Sequence, residues 1–183
     1  MKVLGLFLVL GLSIGAGMFY WNSRTFEAQA VPQSYKVLDD LENKGIYQGE
    51  ELILRDLDGK VISLSSLKGK VVILSFWATW CEPCVEEFPS FLKLLDEYPE
   101  KVVLIAISHD YEEKDVREFV EAFKGYRKNM ILTMDKEKAL SKAFGVDRLP
   151  EGFIFNKEGK LQKKIIGIQD WATPNAIEFF KAL

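Results

Sequence analysis

Residues 71–84 read VVILSFWATWCEPC, and this stretch decides the fold. Val71 to Trp77 is an apolar run interrupted only by Ser75, as expected of a strand buried on both faces of a sheet. It runs into Cys81-Glu82-Pro83-Cys84. Beyond the second cysteine, Val85, Phe88, Leu92 and Leu95 recur at helical spacing, so a helix starts at the motif and turns one face to the core. Pro89 falls inside that helix, where it removes a hydrogen bond and is expected to bend the axis.

The pattern continues on both sides. Upstream, Leu52-Ile53-Leu54 and Val61-Ile62-Ser63-Leu64 flank Asp58-Gly59, a hairpin signal. Downstream, Val102 to Ile107 reads as a second buried strand. Val116, Phe119, Val120 and Phe123 mark an amphipathic helix. Met130 to Met134 suits a short strand, and Asp135 and Gly145 can open and close the helix between them. Gly152 to Phe155 and Leu161 to Ile166 flank the turn Asn156-Lys157-Glu158-Gly159, a second hairpin. Thr173-Pro174 then starts a last helix, with Ala176, Ile177, Phe180 and Leu183 on its buried side. The order is hairpin, β, α, β, α, β, α, β-hairpin, α. It predicts an α/β fold with a mostly parallel central sheet, covered by helices and extended by antiparallel strands.

The chain divides into three parts. Val3 to Trp21 carries no charge and suits a transmembrane anchor over residues 1–22, with Phe19, Tyr20 and Trp21 at its outer end. Ala28-Gln29-Ala30 keeps a cleaved signal peptide open as the rival reading. Lys2 and Arg24 flank the run on opposite sides, so charge does not orient it. A minimal tail before an apolar run is the usual geometry of an export signal, which places the domain on the extracytoplasmic side of the cell membrane. Residues 23–50 read as linker and lead-in, with a short helix over 34–44. Residues 51–183 are the size of one domain. The net charge of −3 and the lack of a Lys/Arg block exclude a nucleic-acid footprint.

Cys81 and Cys84 are the only cysteines and His109 the only histidine. A structural zinc site needs four ligands, which these residues do not supply. A purely structural disulfide closing so short a loop would restrain little of the unfolded chain. A redox dithiol is the reading that fits a motif between a buried strand and a helix. Such chemistry calls for no metal and no cofactor. Cys81 lies at the helix N-terminus, where free N–H groups and the dipole favour a thiolate, so it is the expected nucleophile. Cys84, a turn further on, is the expected resolving thiol. Glu82 sets a negative charge beside Cys81 and leans the couple toward reduction. Glu87 lies one turn beyond Cys84: it either tunes the dithiol or is a solvated first-turn glutamate. Pro150 reads as a turn residue and His109 as a loop residue. The aromatics Trp77, Phe88, Phe119, Phe123, Phe153 and Phe155 read as core.

Leu57-Asp58-Gly59-Lys60, Leu67-Lys68-Gly69-Lys70 and Phe76-Trp77-Ala78-Thr79-Trp80-Cys81-Glu82-Pro83-Cys84 together resemble the TlpA/ResA/CcmG type of thioredoxin-like, membrane-anchored thiol–disulfide oxidoreductase. The resemblance runs from about Glu51 to the C-terminus. It implies a thioredoxin fold, with an extra helix–strand unit over about His109 to Met134. It implies that Pro150 is the family's cis-proline beside the dithiol, that the Leu149 backbone helps to hold a substrate strand, and that Glu87 is the family's active-site glutamate. Trp80, Glu82 and Pro83 join these as substrate-facing residues. It further implies a Cys81–Cys84 redox disulfide, protein disulfides as substrates, apocytochrome c among them, and a membrane thiol transporter as electron donor. Ser75 stands where thioredoxin has its buried aspartate. Glu151-Gly152 follows Pro150 where many relatives have Thr, and the usual Ala-Pro-x-Phe entry is missing near Glu51.

Two other functions fit less well. Peroxiredoxins resemble Pro-x-x-x-Thr-x-x-Cys, but Leu74 and Ala78 occupy the Pro and Thr positions relative to Cys81. A binding module that makes no use of the dithiol would not need both cysteines intact.

Overall fold

The computed structural model describes residues 52–183. The expected anchor and lead-in, with the short helix over 34–44, lie outside the described residues. Among those described, no helix is long and apolar enough to cross a membrane.

A hairpin comes first, β1 (Ile53–Arg55) and β2 (Val61–Ser63), turning at Gly59 with φ +82°. Then follow β3 (Val71–Trp77), α1 (Glu82–Glu97), β4 (Val102–Ser108), α2 (Glu113–Ala122), β5 (Met130–Met134), α3 (Ala139–Ala143), β6 (Glu151–Phe155), β7 (Leu161–Ile166) and α4 (Pro174–Ala182). The five-stranded sheet has the order β5-β4-β3-β6-β7. Strands β3, β4 and β5 are parallel, and β6 and β7 run antiparallel. This is a thioredoxin fold with an N-terminal hairpin and an inserted helix–strand unit.

All residues of β3 and β4 are buried. Side chains alternate across a strand, so each strand feeds two cores. Val71, Ile73 and Trp77 of β3 pack with Leu104 and Ala106 of β4 against Phe88, Phe91 and Leu95 of α1. Val72, Leu74 and Phe76 pack on the other face with Ile105, Ile107, Phe144 and Phe153. The expected core aromatics hold that place except at the edge of α2, where Phe123 is 36% exposed. Helix α1 continues past Pro89 to Glu97.

Thr173 caps its helix as expected, whereas the N-cap of α3 is Lys138, in left-handed conformation, with Asp135 three residues before it. The Asp135 carboxylate accepts the N–H groups of Leu140 and Ser141 at the start of α3. Thr173 caps α4 by accepting the Ala176 N–H. The hairpin docks on the insertion: the Leu57 N–H donates to the Leu132 carbonyl, and the Arg117 guanidinium donates to the Leu57 carbonyl.

One buried ion pair joins β6 to β7. Lys164 Nζ lies 2.8 Å from the Glu151 carboxylate, and both side chains are buried. Lys164 also donates to the Gly145 carbonyl at 2.7 Å, and Glu151 accepts the Asp147 N–H. The pair therefore clamps the loop that leads to Pro150. A buried charge stripped of its partner costs about 3–5 kcal/mol. Lys164→Met is expected to lower the unfolding free energy from urea titration by that order, with a lower midpoint, and adding Glu151→Gln is expected to recover much of the loss. An unaltered midpoint in the single variant would show that the pair is dispensable.

Candidate active site

The structure brings the expected residues to one end of the sheet. Cys81 caps α1 in extended backbone conformation, and Cys84 sits in its first turn. The two sulfurs are joined in a disulfide. Both cysteines are buried, whereas Trp80, Glu82 and Pro83 around them are exposed, Trp80 by 63%. The Cys81 N–H donates to the Ala78 carbonyl at 3.2 Å, and the Cys81 carbonyl accepts from Cys84 and Val85. Pro83 has no N–H, so the first turn offers one amide fewer to an anion at Cys81.

Strand pairing sets Phe76 opposite Glu151. Pro150 therefore lies level with the end of β3, where the chain leaves for the dithiol. The Leu149–Pro150 peptide bond is cis. Pro150 is buried and Leu149 half-buried. Among the described residues, the Leu149 backbone makes no hydrogen bond.

Glu87 is not a solvated glutamate. It lies on the buried face of α1 with Cys84, Phe88 and Phe91, and is 3% exposed. One carboxyl oxygen accepts the Trp171 indole N–H at 2.6 Å and the Gln169 N–H at 3.1 Å. The indole itself stacks on Phe91, centroids 4.7 Å apart. Burial pushes the Glu87 pKa up to about 8, against the pull of those two hydrogen bonds. Glu87, Cys84, Ser75 and Trp77 line one small cavity between α1 and the sheet. Ser75 thus occupies the buried position below the dithiol without bringing a charge, and Glu87 supplies the acid from the helix side.

His109 does lie in a loop, but it is buried there and bonded to Ser141. Burial lowers its pKa, against the pull of the Asp135 and Asp110 carboxylates. Among the described residues no cluster of three or more His, Cys, Asp or Glu could hold a metal.

A family model described as Redoxin matches residues 29–178. The chain belongs to the redoxin family. Among curated relatives, the thiol-disulfide oxidoreductase ResA of Bacillus cereus is 40% identical over 123 residues, covering 67% of this chain and 69% of that protein. Among solved structures, StoA from Bacillus subtilis superposes with a TM-score of 0.56 at 26% identity, covering 70% of this chain and 92% of StoA. The exposed lipoprotein thioredoxin Etrx1 of Streptococcus pneumoniae gives 0.56 at 30% identity, covering 73% and 99%. With its Cys-x-x-Cys pair, this redoxin is a thiol–disulfide oxidoreductase.

Two contributors at the site, Trp171 and Gln169, carry no local sequence signal. A buried tryptophan needs a partner for its N–H, but the partner lies 84 residues away in the chain. Periodicity does not reach that far.

The raised Glu87 pKa sets a pH dependence. A carboxyl that holds its proton more tightly when folded stabilises the fold fully only below the unfolded carboxyl range. Stability then falls by about 1.4 kcal/mol per pH unit as pH rises toward 8, and levels off above it. Urea midpoints of the oxidised protein, taken from pH 5 to 9, should show this slope, and Glu87→Gln should lack it. Parallel profiles for the two proteins would remove Glu87 from the account.

Proposed function

We propose that this redoxin reduces protein disulfides outside the cytoplasm, held to the membrane by residues 1–22. The observation that carries the reading is a Cys81–Cys84 disulfide at the cap of α1 above the buried carboxyl of Glu87. Cys81 is the attacking thiolate. It opens a client disulfide and forms a mixed disulfide, releasing one client thiolate. Cys84 then attacks the Cys81 sulfur and releases the second client thiolate. Two electrons pass to the client, and the Cys81–Cys84 disulfide is left.

The Cys84 proton must leave before that attack. Glu87 accepts it within the shared cavity, which yields a protonated acid beside a disulfide. When a membrane thiol transporter reduces the enzyme again, Glu87 returns the proton to Cys84. Exposed Trp80, Glu82 and Pro83 face the client. The open Leu149 backbone next to Pro150 offers its hydrogen bonds to an extended client strand.

Direction and place have separate supports. Glu82 and the missing Pro83 amide both disfavour the Cys81 thiolate, and a less stabilised reduced form is the stronger reductant. The apolar run from Val3 to Trp21 and the exposed lipoprotein among the structural neighbours support an extracytoplasmic site. The resemblance to CcmG-type reductases points to apocytochrome c as a client, with general disulfide reduction as the competing range.

Trapping in living cells tests the reading. Cys84→Ser is expected to accumulate mixed disulfides through Cys81, in the membrane fraction, and Cys81→Ser to accumulate few. The reverse pattern would overturn the roles assigned to the two thiols. Mass spectrometry of the linked proteins separates an apocytochrome client from a broader set.

A further inference from the structure

Asp110 is 2% exposed and lies just past the end of β4. One of its carboxylate oxygens accepts the Thr79 N–H at 3.0 Å and the Ser108 hydroxyl at 2.6 Å. The other accepts the Thr79 hydroxyl at 2.7 Å. The Asp110 N–H donates back to the Ser108 hydroxyl. Next to this knot, the His109 N–H donates to the Trp77 carbonyl at 2.8 Å. Residues 108–110 thus grip residues 77–79, the last three before Trp80 and Cys81.

Thr79 is the second residue of the turn that the Cys81 N–H closes on the Ala78 carbonyl. Both polar groups that Thr79 can donate are held by one carboxylate. We propose that Asp110 is a positioning residue for thiol exchange: through Thr79 it fixes the turn that presents Cys81 and Trp80 to the client.

The physical case rests on what the turn controls. Cys81 has no residue of its own to cap it, because it is itself the cap of α1, with φ −92° and ψ 100°. Its thiolate gains from the first-turn amides only at that setting. A turn free to rock would spread the sulfur over several positions, and a misplaced nucleophile slows exchange well beyond any loss of stability. A buried carboxylate is costly to keep unless its acceptor sites are filled, and three donors fill this one. Two of them come from Thr79, in the active-site turn.

The inference rests on the thiol-exchange reading, and the test separates the two. Full-length protein is compared as parent, Thr79→Val, Thr79→Ser and Asp110→Asn. Alkylation of Cys81 by iodoacetamide is followed against pH, along with the rate of insulin disulfide reduction. Thr79→Val keeps the charge and nearly the shape, and removes one donor. It is expected to slow reduction about tenfold and to move the Cys81 alkylation midpoint upward. Thr79→Ser, which keeps the hydroxyl, should stay within about twofold of the parent. Asp110→Asn should slow reduction like Thr79→Val. If it fails to fold, Thr79→Val decides alone. A Thr79→Val protein with the parent's profile and rate overturns the proposal, even with a lower melting temperature, since a stabilising role alone predicts that result. A parent that reduces no disulfide sinks the functional reading instead.

Discussion

Strand β3 has no side that faces water. Every residue from Val71 to Trp77 is buried, and this constraint organises the molecule. A strand buried on both faces must be covered twice, by α1 and α4 on one side and by α3 and the hairpin on the other. Its neighbours must supply all its ladder bonds, which β4 does in parallel and β6 antiparallel. Its chain can become reactive only where it leaves the sheet. That exit is the turn from Ala78 to Cys81, and the dithiol stands there.

Several of the buried polar groups collect near the same end. Ser75, Glu87, Ser108, Asp110 and Glu151 are all within a few residues of the ends of β3, β4, β6 or α1. Each except Ser75 has a partner that is distant in the chain or shared with a loop. Glu87 bonds Trp171, Asp110 bonds Thr79, and Glu151 pairs with Lys164. Burial makes such groups expensive when unpaired. Pairing therefore holds the loops to the sheet, and the loops in turn carry the cysteines and the cis-proline.

Local patterns revealed most of the fold. The strands and helices from Ile53 onward were legible because apolar spacing differs between a two-sided strand and a one-sided helix. The cap at Thr173 was legible because its hydrogen bond is short in sequence, while α3 starts at Lys138 and not at Asp135. At the site, Cys81 and Cys84 were legible from spacing alone. Glu87 was not, since its position one turn beyond Cys84 suits exposure and burial equally. What buries it is Trp171, which the chain reaches only after β7. Lys164 was hidden in another way: β7 reads as a half-exposed strand with two lysines, and only the pairing with β6 turns this one inward, over Glu151.

The indole of Trp171 is more than a donor. It stacks flat on Phe91, shielded from solvent, with its nitrogen 2.6 Å from a carboxyl that loses its proton near neutral pH. Indole emission responds to a charge that appears in the plane of the ring. A charge on Glu87 therefore acts directly on one of the chain's four tryptophans, placed behind the disulfide.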